Sequence, residues 1–143
     1  MIDFAEVANP ANPPEGTGFG AVANVYSIAP HEVTHRQYAA FLNAVADDDP
    51  NGLFHATSEV LYFIRRTGDP GSYHYTVFAS RDARPINFVS LYDAMRFANW
   101  LHNGQPTGPQ DVTTTEDGAY DHGGGRRRER DRAQRGRAPL ASD

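Results

Sequence analysis

The chain has 143 residues, enough for one domain with a core, and no stretch approaches the roughly 18 consecutive apolar residues of a membrane-spanning helix. It contains no cysteine, which excludes disulfides, thiolate metal sites and cysteine nucleophiles. The net charge of −5 hides an uneven distribution: residues 1–125 hold six arginines and fifteen acidic residues, residues 126–143 hold seven arginines and three acidic residues, and lysine is absent.

The 13 glycines and 10 prolines favour many turns and little regular structure. The opening MIDFAEVANP has neither a basic nor an apolar leader region, so no signal peptide is read and a soluble chain is expected. Localisation is left open. Residues 2–8 alternate loosely and read as a short strand, and NPANPPEGTGFG (9–20) reads as a loop from its Pro and Gly density. Residues 21–29 are β-branched and aromatic enough for a second strand, with Val22, Tyr26 and Ile28 on one parity.

A helix is expected over residues 35–46. Thr34 is a good N-cap, Gln37 completes a Thr-x-x-Gln capping box, and Tyr38, Phe41, Leu42 and Val45 form one buried face. The run from Asp47 to Gly52 ends it. Residues 59–66 and 73–79 read as two strands of a hairpin around Gly68-Asp69-Pro70-Gly71, and PINFV (85–89) reads as a further short strand. Ser90 then caps a helix over 91–102, with Ala94, Phe97, Ala98 and Leu101 as its apolar stripe and Asn103-Gly104 as its stop. Beyond it the pattern weakens, and from Gly123 the sequence loses both periodicity and apolar content.

The two helical segments carry a resemblance. HEVTHRQYAAFLNAVA (31–46) and PINFVSLYDAMRFANWLHNGQPTG (85–108) resemble the formylglycine-generating-enzyme, or sulfatase-modifying-factor, family through Glu32, Val33, Thr34, Tyr38 and Phe41, then Val89, Ser90, Tyr92, Asp93, Ala94, Phe97, Asn99 and Trp100. The order and the variable hairpin between them match over about residues 20–120. The resemblance implies an α+β, C-type-lectin-like domain with two helices, short strands and much irregular structure, of which residues 1–122 would be the N-terminal part. Family members carry a Leu-Pro-(Ser/Thr)-Glu-x-Glu-Trp segment after the second helix, and nothing of the kind follows Gly125. The resemblance further implies copper held by a cysteine pair, or iron held by histidines, in that later region of full-length relatives, and a protein substrate or sulfatase-like partner. No catalytic, cofactor or metal residue transfers to this chain, so it is expected to be inactive as given. A non-catalytic, lectin-like binding module is the alternative.

The matched residues have structural readings: Thr34 and Ser90 as caps, Tyr38, Phe41, Phe97 and Trp100 as core, and Glu32 and Asp93 as helix-start carboxylates or members of a buried polar network. Partly uncovered faces on both helices, and marginal stability, are expected of such a partial domain.

His31-Glu32-Val33-Thr34-His35 also spells His-Glu-x-x-His, in which two histidines one helical turn apart bind zinc and the glutamate activates water. Pro30 before it and the cap at Thr34 oppose that reading, and a third ligand would have to come from His55 or Glu59. His74, His102 and His122 stand singly. Residues 123–143 are read as an arginine-rich disordered tail or the product of a reading-frame shift near 123–126; as a nucleic-acid arm they lack interleaved aromatics for base stacking.

Overall fold

Both helices begin where their capping residues stand. The structure, a computed structural model, describes residues 2–9, 11–61 and 63–121, and the expectations for 123–143 fall outside them. Helix α1 spans His35–Val45: the Thr34 hydroxyl accepts from Gln37 N at 3.3 Å, and the Gln37 side chain accepts from Thr34 N at 2.8 Å. The first and second strands, β1 (Ala5–Val7) and β2 (Tyr26–Ile28), precede it, and a single-turn helix α2 (Thr57–Val60) follows. After β3 (Ile64–Thr67) and β4 (His74–Val77), helix α3 spans Leu91–His102. Its Ser90 hydroxyl accepts from Asp93 N at 3.2 Å, while Asp93 accepts from Ser90 N at 3.0 Å. Reciprocal caps of this kind satisfy orphan donors and contribute about 1 kcal/mol each.

The product is a small α+β arrangement with two antiparallel two-stranded sheets, β1–β2 and β3–β4. Helix α1 lies at its centre. Tyr38, Phe41, Leu42 and Val45 are all buried, as their spacing predicts. Phe41 meets Tyr38 at 5.4 Å, Phe97 at 5.2 Å and Trp100 at 5.3 Å between ring centroids, which joins α1 to α3. On its other side α1 meets the hairpin, where Ile64 and Tyr75 are buried. The Tyr38 hydroxyl donates to Leu53 O at 3.0 Å and the Tyr75 hydroxyl to Ala46 O at 2.8 Å. Burial pushes both phenols upward from the usual tyrosine range, so both stay protonated donors.

Several expectations are corrected. Residues 57–60 are helical, and β3 starts only at Ile64, because Leu61 N and Phe63 N turn back to Thr57 O and Ser58 O at 3.0 and 2.7 Å. Residues 85–89 form no strand: Pro85 makes one bridge to Thr34, and Phe88 has φ +57°, a left-handed conformation that no strand continues through. The second strand is shorter than the expected 21–29, covering Tyr26–Ile28, where Tyr26 and Ile28 are 42% and 52% exposed. The stripe on α3 is also shifted. Ala94 is exposed and Ala98 and Leu101 are half-buried, whereas Phe97, Asn99 and Trp100 form the buried face. Partial uncovering applies to one helix only: α1 is covered, while Leu91 and Tyr92 in the first turn of α3 are 73% and 64% exposed.

Asn99 explains how residues 105–121 are ordered with no regular element. Its fully buried carboxamide donates to Thr115 O and Tyr120 O, each at 2.8 Å, and accepts from Tyr120 N at 2.7 Å. Gly118 lies against it at φ +155°, where an added Cβ would stand 3.1 Å from the Asn99 amide oxygen. The Trp100 indole donates to Pro106 O at 2.8 Å, Asn103 donates to Thr114 O and Asp117 O, and Arg96 grips Glu116 through two bonds of 2.7 and 3.2 Å. Replacing Asn99 by alanine strands one donor and two acceptors of the backbone, each worth about 1–3 kcal/mol when buried. The expected outcome for Asn99→Ala is a loss of about 2–4 kcal/mol in urea unfolding; a loss below about 0.5 kcal/mol would show that the latch contributes little.

Candidate functional site

Where α1 begins, the chain before it and the loop before α3 enclose a cleft of about 450 Å³. Ile2 and Asp3 line one side, residues 29–34 and Gln37 the floor and rim, and Ala83 and Pro85 the other side. Besides Thr34 and Gln37 of the helix cap, the sequence places three titratable groups here: His31 and Glu32, both exposed, and Asp3.

The loop 82–86 is sewn to the start of α1. Ile86 N donates to Val33 O at 2.8 Å, His35 N to Arg84 O at 3.0 Å and Arg36 N to Asp82 O at 3.1 Å. The Arg36 guanidinium also pairs with the Asp82 carboxylate, which raises the arginine further above its usual value. Gln37 N is taken by the Thr34 hydroxyl and Tyr38 N by Thr34 O. All four leading amides of α1 are therefore satisfied within the protein, and none remains for an anion at this helix start.

The two histidines of the His-Glu-x-x-His spelling are placed differently. His31 precedes the helix and lies in the exposed part of the cleft. His35 is the first helical residue, 1% exposed, with its Nδ1 3.0 Å from Arg84 O and its ring 5.0 Å from that of Phe63. That contact makes Nδ1 the donor, and Nε2 is buried with no hydrogen-bond partner among the described residues. Residues 31 and 35 thus share no helical face, the geometry the zinc pattern requires. Of the candidate third ligands, His55 stacks on Phe88 at 5.9 Å and accepts from Thr57 N at 3.3 Å, and Glu59 is an exposed residue in the first turn of α2. Among the described residues no three ligating side chains gather into a metal-binding group.

The structural motif residues do come together. Tyr38, Phe41, Phe97 and Trp100 form one aromatic cluster, with Thr34 and Ser90 as caps and Asp93 in its capping box. Glu32 lies at the cleft rim. The roles of Asn99 and Asn43 were not read from the sequence. Asn43 donates to Tyr75 O at 2.7 Å and accepts from Tyr75 N at 2.9 Å, acting as a one-residue strand partner for β4. The available signal was an asparagine inside a helix, a residue that disfavours helix interiors unless its amide is used. Chemically the cleft offers carboxylates and an imidazole for hydrogen bonding or proton exchange, without a cysteine nucleophile.

The metals implied by the resemblance find no fitting ligand set here. Copper would need a cysteine pair, and the sequence has none. Iron would need grouped histidines, and no such group of ligating side chains forms among the described residues.

The family whose sequence model matches this chain is described as Sulfatase-modifying factor enzyme 1-like domain, over residues 14–135. The match spans β2 to α3 and continues past the glycine run into the arginine-rich stretch, leaving β1 outside. No curated protein and no solved structure matches the chain.

Zinc supplies a direct check on the histidine geometry. A ligand that binds only the folded state raises its melting temperature. The expected outcome is an unchanged melting midpoint with a tenfold molar excess of zinc over protein; a zinc-dependent rise that His35→Leu abolishes would contradict the placement described.

Proposed function

The chain belongs to the sulfatase-modifying factor family, and on that premise we propose that it is a C-type-lectin-like portion of such a domain, without oxidase chemistry of its own. Metal-dependent oxidation of a protein or small-thiol substrate would belong to full-length relatives that carry the later ligand-bearing region. The observation that carries this reading is the employment of the buried polar side chains: Asn99, Thr115 and the Nδ1 of His35 are committed to backbone or neighbouring groups. A polar group already holding the fold is not free to meet a substrate. Among the described residues no helix is long and apolar enough to cross a membrane.

A second reading, a ligand- or protein-binding module, is supported by the cleft between the N-terminal arm and α1. Lectin-like folds serve recognition as readily as catalysis, and the fold alone does not choose. Oxygen consumption separates the two. The purified chain, supplied with copper(I) or iron(II) and a cysteine-containing peptide, is expected to consume oxygen no faster than the metal and peptide alone. Protein-dependent thiol oxidation with multiple turnovers would overturn the non-catalytic reading.

A further inference from the structure

The face of the β3–β4 hairpin turned away from Ile64 and Tyr75 carries two arginines that form no carboxylate pair among the described residues. Among the described residues the carboxylate pairs are Arg36–Asp82 and Arg96–Glu116. Arg65 and Arg81 instead lie over aromatic rings: Arg65 is 5.1 Å from the Phe78 ring centroid and Arg81 5.2 Å from that of Phe63. Phe78 N donates to Phe63 O at 3.1 Å, extending the hairpin by one pair, so the two rings are cross-strand neighbours. Period-two alternation puts positions 63, 65, 76 and 78 on the face opposite Ile64 and Tyr75, which are buried.

We propose that this face docks an extended acidic segment of a partner protein, with carboxylates on alternate residues meeting Arg65 and Arg81. A ring under a guanidinium occupies one of its flat faces and restricts its motion, while its N–H edge stays open for two parallel bonds to a carboxylate. Holding the fork in place beforehand removes part of the ordering cost of binding. Alternate residues of an extended chain present their side chains on one side about 7 Å apart, so a single such segment carries a row of carboxylates along one face. Among the described residues β3 is paired to one strand only, so its other edge can accept main-chain bonds from an extended segment. A nucleic acid is disfavoured, because the net charge of −5 repels a continuous polyphosphate more strongly than a segment with a few carboxylates. The surface is independent of any oxidase activity.

Fluorescence anisotropy of the full chain with a labelled decapeptide of alternating glutamate and threonine tests this. Saturable binding is expected, weakening as salt rises and falling about tenfold or more in the double variant Arg65→Gln/Arg81→Gln. Circular dichroism of that variant should match the unsubstituted chain, since Arg65 is exposed and glutamine keeps most of the aliphatic stem by which the half-buried Arg81 covers Phe63. Arg127→Gln/Arg128→Gln, in the separate basic stretch, should leave affinity within about twofold. Absence of binding, equal binding by the hairpin variant, or loss confined to the 127–128 variant would overturn the proposal. So would tighter binding of a thymidylate decamer, or a self-associated chain that Arg65→Gln dissociates, the latter making a second copy the occupant.

Discussion

The ring of Phe41 is the constraint on which the rest of the molecule depends. It is fully buried and touches Tyr38 of its own helix and Phe97 and Trp100 of the other. Helices of 11 and 12 residues are marginal on their own in water. Each therefore takes its stability from an apolar face pressed against something else, and these aromatics are what the two helices press together. Edge-to-face contact adds to area burial: Phe41 and Phe97 stand at 85°.

Around that wedge the protein has little sheet with which to satisfy its backbone, and side chains take over. Asn43 completes β4 at Tyr75, and Asn99 holds both Thr115 and Tyr120. Asp49, at φ +48°, accepts from Leu53 N at 2.8 Å and Phe54 N at 3.1 Å where the chain leaves α1. Thr113 donates to Asp111 through both hydroxyl and amide, which holds that carboxyl below the usual aspartate range and fixes the turn after residue 110. Of these anchors Asn99 is among the residues that carry the family resemblance, and Asn43, Asp49 and Asp111 are not.

Local chemistry decided what the sequence disclosed. Thr34 and Ser90 announced both helix starts, because a capping box is complete within four residues and needs no distant partner. The α1 face was legible because, from Tyr38 onward, its buried positions are apolar or aromatic at helical spacing. On α3 the apolar pattern misled: Asn99 occupies a fully buried position while Ala94 is exposed, and the partners that make the asparagine tolerable lie 16 and 21 residues further on. Phe88 looked like a strand residue by type, yet its left-handed backbone, beside rings of His55 and Phe63, breaks any strand there. The His-Glu-x-x-His spelling failed at the same boundary that the cap marks, because one histidine lies before the helix and the other inside it. The Arg65–Phe78 and Arg81–Phe63 contacts were invisible, since pairing of Phe63 with Phe78 depends on where the hairpin turns.

The central claim is that the two helices and the irregular segment after them form one cooperative unit latched by Asn99. Native-state hydrogen exchange measures it most directly, by comparing the Tyr120 amide, bonded to Asn99 Oδ1 at 2.7 Å, with the amide of Val45 inside α1. Cooperative latching predicts that both exchange with the same opening free energy. Exchange of the Tyr120 amide at the rate of an unstructured peptide, with Val45 still protected, would contradict it.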